Sequence, residues 1–408
     1  MNRLNVKFLA ILVLGAALAQ SCSKGNPTSF EPGKASTKTG IAYTDRAEEG
    51  EEDIPSFVVR EFKSMPQGPD LVYIEGGRVI LGSFEEDIMN SNDNIERTVT
   101  VASFFMDQTE VANIHWLEYL RFARDSGDQY FQEALPDTTV WAKELAFNDP
   151  YVDHYLRFPG FRFFPVVGVS WEQAMRYCRW RTDAVNKMLG LQHGNEEEIE
   201  IVRSGGRIPL ESGVILPDYR LPTEAEWQYA AEALIGLQFA DENHAQRRLY
   251  PWNGHSLRNP YGNEMGMFLA NFKRGRGDYA GIAGRLNDGA MITEWIYAYA
   301  PNDFGLYCMA GNVNEWVFDV YRPLSYSDFE DLNPVRRDGF LDDTEWEYVY
   351  DKANFSTFID NKVRVYKGGS WKDIAYWLSP GTRRYLEQDS ATATIGFRCA
   401  MIATGAAY

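Results

Sequence analysis

Phe304-Gly305-Leu306-Tyr307-Cys308-Met309-Ala310-Gly311-Asn312-Val313-Asn314-Glu315-Trp316 is the least ordinary stretch of the chain, and its reading decides the fold. Glycines and asparagines sit there among aromatic and aliphatic residues of the buried type, with a single acid. Gly305 and Gly311 suit backbone positions that need positive φ or lie close to another segment. Asn312 and Asn314 can bond their own backbone or take left-handed geometry, so the loop can fold sharply without regular structure. One reading is a rigid scaffold. The other is a metal cage, because backbone carbonyls and one carboxylate, here Glu315, are what a hard cation such as calcium accepts.

Around that loop the chain has ample material for a core: 45% of its 408 residues are hydrophobic, with 24 Phe, 23 Tyr and 11 Trp. The length prior is two or three domains, although one large domain can exceed it. A net charge of −18 argues against a nucleic-acid surface, which needs a basic patch. Residues 1–21 read as a secretory signal: Arg3 and Lys7, then an apolar run over residues 8–18, too short for a membrane span. The ending Leu18-Ala19-Gln20-Ser21-Cys22 resembles a bacterial lipobox, which implies a lipid-anchored Cys22; an ordinary cleaved signal is the alternative. Residues 22–68 are rich in Ser, Thr, Gly, Lys and Pro and read as a mostly disordered tether. Without Cys22, Cys178, Cys308 and Cys399 remain, an odd number that suggests one pair and one free thiol in an oxidising compartment.

The folded part begins near Leu71. Residues 71–82 predict two short strands around Gly76-Gly77, and residues 99–106 predict a further strand. Asn113 is placed to cap a helix through Ile114, Leu117, Leu120 and Arg124. Residues 165–169 read as a buried strand leading into Ser170, which with Gln173 forms a capping box for a helix over residues 171–181. Thr223 and Glu226 repeat the device, with Trp227, Ala230, Ala231 and Leu234 as the apolar stripe. Residues 186–216 and 322–362 read as insertions, the second strongly acidic and either a solvated face or a partner-docking loop. Two strand-like pieces, residues 364–371 and 395–400, precede a tail at 403–408.

Taken together, Met106-Asp107-Gln108-Thr109-Glu110-Val111-Ala112-Asn113, residues 165–180 and 220–231, Tyr250-Pro251-Trp252, the 304–316 loop, Lys367-Gly368-Gly369-Ser370-Trp371 and Gly396-Phe397-Arg398-Cys399 resemble, in order, the formylglycine-generating-enzyme (sulfatase-modifying factor) superfamily. The resemblance implies one α+β domain over residues 69–402, an elaborated C-type-lectin-like fold with loop insertions. Its oxidases bind copper through a cysteine pair between the Gly-Gly-Ser-Trp strand and the Gly-Phe-Arg end, since soft thiolates suit Cu(I). Residues 372–395 contain no cysteine, so no catalytic residue or catalytic cofactor is assigned. The related iron-dependent branch needs clustered histidines, whereas His115, His154, His193, His244 and His255 are scattered and read as structural or surface residues.

The same resemblance implies a disulfide between Cys178 and Cys399, with Cys308 left as a buried thiol. It also implies two structural calcium sites: side chains Asn271 and Asp288 with carbonyls of Phe272 and Ala290, and carbonyls of Gly311 and Val313 with the Glu315 carboxylate. In the second, Cys308 stands where the family has an oxygen ligand, and a thiol suits a hard cation badly. Within the superfamily, residues 134–138, 155–159, 181–183, 275–284, 298–307 and 365–377 look most like the GldJ-type gliding-motility lipoproteins of Bacteroidota. That likeness implies a scaffold of the gliding and type IX secretion machinery, partnered by a related lipoprotein K. Ser23-Lys24-Gly25-Asn26 lacks the acidic run resembling a surface-export tag, which favours the periplasmic face of the outer membrane. A glycan- or peptidoglycan-binding module and a metal-dependent thiol oxidase are the alternatives.

Overall fold

The computed structural model describes residues 27–44, 56–60, 62, 64–66, 68–83, 94–142, 146–235, 248–284, 287–322, 330–337 and 361–405. The signal segment, Cys22, most of the acidic insertion, His244 and the last residues of the tail lie outside them. Within the tether, β1 (Ala42–Thr44) and β2 (Ser56–Val58) form a small parallel pair. The main body then runs β3 (Leu71–Ile74), β4 (Gly77–Leu81), β5 (Arg97–Val101), β6 (Phe104–Asp107), α1 (Asn113–Ser126), α2 (Asp128–Ala134), α3 (Asp149–His154), α4 (Trp171–His193), α5 (Glu196–Arg203), α6 (Glu224–Glu232), β7 (Asn314–Val320), β8 (Val363–Lys367), β9 (Arg384–Glu387), β10 (Ile395–Gly396) and β11 (Ala400–Ile402).

Helices and strands are mixed rather than alternating, which makes this the α+β arrangement expected from the sequence. β11 and β3 both pair antiparallel with β6, so the last strand of the body lies beside its first strands and closes the chain on itself as one domain. A second sheet has the order β10-β7-β8-β9, and β4 pairs only with β5. Among the described residues no helix is long and apolar enough to cross a membrane.

Several local expectations change. The strands flanking Gly76-Gly77 do not form a hairpin: β3 and β4 belong to different sheets. The strand expected over residues 99–106 is broken at Ala102-Ser103, whose polar groups bond elsewhere, Ala102 N–H to Asn333 Oδ1 and Ser103 Oγ to the Gly76 N–H. The strand expected over residues 165–169 is buried but irregular. Gly168 has φ of 74°, and a Cβ there would stand 2.4 Å from the Asp137 carbonyl oxygen. Asn113 lies inside the first turn of α1 and not before it, with Nδ2 donating to the carbonyls of Tyr155 and Phe161 at 3.2 and 2.9 Å. The N-terminal N–H of Ala112 is taken by His115 Nδ1.

Both capping boxes form. Ser170 Oγ accepts from Gln173 N–H while Gln173 Oε1 accepts from Ser170 N–H, and Thr223 and Glu226 do the same. α4 extends to His193, beyond the expected Arg181, because Leu189 continues its buried face. α6 is buried on every side instead of carrying one stripe, and it ends before Leu234. Its polar residues survive burial through partners, such as Glu224 with Arg383 and Gln228 with the Ile80 carbonyl. The core centres on Trp116, which stacks on Tyr177 at 5.4 Å and meets Phe397 edge-on, so α1, α4 and the C-terminal segment share one aromatic cluster.

Candidate functional site

The loop over residues 304–316 runs through the middle of the body. Asn302 Oδ1 accepts from the N–H groups of Phe304 and Leu306 and starts it. Gly311 has φ of 76°, and a Cβ there would stand 2.3 Å from the Asn271 carbonyl oxygen, so both conformation and space demand glycine. Asn312 is left-handed too, at 63°, and is completely buried. Its side chain accepts from Glu294 N–H and donates to Glu110 Oε2, both at 2.7 Å. These contacts join four separate parts of the chain.

Glu315 lies at the loop's end and is 1% exposed. Arg398 closes on it with two parallel bonds of 2.7 Å, and Trp227 Nε1 donates a third at 2.8 Å. Such a bidentate pair suits a buried site, because it satisfies both partners' polar atoms in fixed geometry. Glu110 lies beside them. Burial, aided by the Glu315 charge, pushes its carboxyl well above the usual range. The Cys308 thiol donates to the Ile296 carbonyl at 3.7 Å, and burial drives its ionisation well above the ordinary range. A thiol held in that way is packing material rather than a nucleophile.

The two calcium sets can be tested on their donors. Asp288 already faces a cation: Arg274 donates to its Oδ1 at 2.6 Å, and Tyr299 Oη donates to Oδ2 at 2.9 Å. Asn271 turns its amide Nδ2 to the Ile292 carbonyl. In the second set Gly311 and Val313 are positioned as expected in the loop, yet both Glu315 oxygens are committed to Arg398 and Trp227. In both sets a guanidinium already shares the carboxylate that a hard cation would take. Phe272 and Ala290 lie buried beside the first set, and Ala290 N–H donates to Asp288 Oδ1.

Cys178 on α4 and Cys399 before β11 are brought together, both buried, with their sulfurs 3.5 Å apart and unbonded. In residues 372–395 the half-buried Asp373 gathers several donors. Arg384 holds it with bonds of 2.6 and 2.7 Å, Ser370 Oγ donates at 2.5 Å and Asn314 Nδ2 at 3.1 Å. These bonds hold its carboxyl below the usual range against the opposing effect of burial. Leu378, in the same interval, is fully buried among Tyr250, Phe272 and Ala310. The interval is filled by an ion pair and by apolar packing.

The sequence matches the sulfatase-modifying factor enzyme 1-like domain over residues 58–403. It belongs to that family. Among relatives, the formylglycine-generating enzyme of Mus musculus is 27% identical over 359 residues, covering 81% of this chain and 74% of that enzyme. The inactive C-alpha-formylglycine-generating enzyme 2 of the same organism is 26% identical, covering 82% of this chain and 86% of its own. Serine/threonine-protein kinase pkn1 of Chlamydia pneumoniae is 26% identical over 83% of this chain, which spans 39% of that kinase's length. The sulfatase-modifying-factor family therefore contains proteins named as active and as inactive, at nearly equal distance from this chain. Glu110, which accepts from the Val313 N–H, and Arg398, which holds Glu315, stand within two of the segments that carry the family resemblance. Their meeting with the loop needs contacts across 203 and 83 residues, which no local pattern reveals.

Proposed function

We propose that this chain is a non-catalytic member of its family: a lipoprotein anchored through Cys22 at the periplasmic face of the outer membrane, scaffolding the gliding-motility and type IX secretion machinery. The observation that carries the non-catalytic part is residues 372–395. They contain no thiol to ligate copper, and the half-buried acid Asp373 there is held by Arg384, Ser370 and Asn314. An inactive relative at 26% identity is consistent with that reading. The scaffold role rests on the likeness to GldJ-type lipoproteins, with a related lipoprotein K as partner. The mechanism is binding by a rigid core whose insertions meet other proteins. In this compartment Cys178 and Cys399, already 3.5 Å apart, close to a disulfide, read as an intact mass two hydrogens lower than the reduced chain.

Two measurements test the reading. Purified protein supplied with Cu(I), oxygen and a cysteine-containing peptide is expected to form no formylglycine and to consume no more oxygen than a protein-free control; formylglycine formed only when the protein is present would end the non-catalytic reading. A photo-crosslinker placed at Asp331 in the native host is expected to trap lipoprotein K or a secretion component. Crosslinks leading to neither would remove the scaffold role.

A further inference from the structure

Residues 154–164 run His-Tyr-Leu-Arg-Phe-Pro-Gly-Phe-Arg-Phe-Phe, with two arginines and no acid in a chain of net charge −18. The function proposed above makes no use of this stretch. Its rings are divided between two tasks. Tyr155, Phe161 and Phe164 turn inward, Phe161 meeting Tyr155 at 5.4 Å and Phe164 at 5.3 Å. The backbone is pinned beside them, because Ile114 N–H donates to the Arg162 carbonyl and Asn113 N–H to the Phe164 carbonyl, each at 2.9 Å. Phe158 and Phe163 turn outward, 57% and 47% exposed. Ile296 N–H donates to the Phe163 carbonyl at 3.0 Å, which brings in Trp295, also 47% exposed. Scattered exposed apolar residues are ordinary, but three large rings gathered on pinned backbone mark a contact surface.

The charges around the rings say what that surface meets. Arg157 and Arg162 are exposed, each directly before an exposed phenylalanine, and neither side chain has an ion pair or hydrogen bond among the described residues. Asp153 is the nearest acid along the chain, and Glu294, beside Trp295, turns its Oε1 back to the Trp295 N–H at 3.1 Å. Residues 157–160 are exposed in succession, so the turn projects from the body. A small ligand would need a concave site instead. A projecting edge of rings and guanidinium groups fits a lipid surface, where aromatic rings lie at headgroup level and arginine reaches phosphate.

We propose that Phe158, Phe163 and Trp295 dip into the headgroup region of a membrane carrying anionic phospholipid, with Arg157 and Arg162 on its phosphates. Charges elsewhere on the acidic body are screened beyond about 8 Å at physiological salt, so these local contacts decide the binding. No acyl chain at Cys22 is needed, and the proposal therefore stands or falls apart from the anchoring and scaffold roles.

The test is co-sedimentation of the chain from Ser23 onward with vesicles of phosphatidylcholine alone and of phosphatidylcholine with about one-third phosphatidylglycerol. That chain keeps every contact among the described residues, while the apolar run over residues 8–18 and any acyl group contribute nothing. Binding to the anionic vesicles is expected with a partition constant on the order of 10⁴ M⁻¹, and weaker binding to the neutral ones. Phe158→Ser with Phe163→Ser is expected to lower binding about tenfold on both. Arg157→Gln with Arg162→Gln is expected to lower it about tenfold on the anionic vesicles and little on the neutral ones. All four residues are exposed, so the melting temperatures of both variants are expected to match the parent. No binding to anionic vesicles at about 1 mM lipid, or ring variants that bind as the parent does, would overturn the proposal. A photo-crosslinker placed at Phe158 in the native host is expected to label phospholipid; a protein trapped in its place would overturn it too.

Discussion

The Arg398 side chain is 0% exposed, and its charge is balanced by Glu315. Removing one partner of such a pair leaves an uncompensated buried charge. Glu315→Gln is therefore expected to lower stability by about 3–5 kcal/mol, read from urea unfolding at neutral pH, whereas a loss below about 1 kcal/mol would mean the guanidinium finds other support. Asp319 sets a pH dependence. Burial, with the Glu224 charge, raises it from 3.8 to about 7, and its oxygens accept the N–H groups of Glu224 and Arg336. An acid that ionises more readily unfolded than folded loses stability as pH rises, here between about 4 and 7. Asp70, raised to about 6 by burial and Asp107, adds in the same direction over its lower part. Melting temperature is thus expected to carry a component that falls from pH 5 to pH 8, and Asp319→Asn is expected to reduce it, the remainder coming from Glu110 and Asp70. The Glu315 carboxylate was legible in the sequence as a candidate calcium ligand. Its indole and guanidinium partners were not, because Trp227 on α6 and Arg398 between β10 and β11 reach it from distant parts of the chain.

Helix starts were the most readable elements, since a capping box is a contact between residues three apart. Ser170 and Thr223 both fulfil it. Ser170→Ala is expected to cost about 1 kcal/mol in thermal or urea unfolding, and no loss would show that α4 is held by packing alone. At α1 the same need is met differently, with His115 accepting the Ala112 N–H from inside the helix, a use of histidine that no capping pattern encodes. Strands were recognisable as strands but not as pairs. β3 and β4 are separated only by Glu75-Gly76, yet their partners are β6 and β5 in different sheets. Pairing is decided by which face each strand must bury, a property of the assembled core rather than of the segment. The length of α4 was hidden for a related reason. Its last turns look polar in isolation and are fixed because Leu189 and Gly190 are covered by the chain that follows.

For the molecule as a whole, an arginine balances the charge at each of the two carboxylates expected to hold calcium. Melting temperature is expected to be the same in millimolar calcium and in excess chelator; a calcium-dependent rise of several degrees would show that Arg274 or Arg398 yields its carboxylate to the ion. Fold class and single-domain organisation were legible because many short motifs kept their order along the chain. The exposed face around Phe163 was not, since Trp295 joins it from a distant segment. The small segments before the body have a mechanical consequence. Arg60 pairs with Glu198 at 2.5 Å, Phe62 lies against Gly213, and the Phe62 N–H donates to the Ser29 carbonyl, so the chain is fastened to the body from Ser29 onward at that point. Under the anchoring at Cys22 proposed above, the seven residues from Cys22 to Ser29 reach at most about 25 Å when fully extended. On that proposal the body would patrol a thin layer beside the bilayer and meet only partners that come to it there.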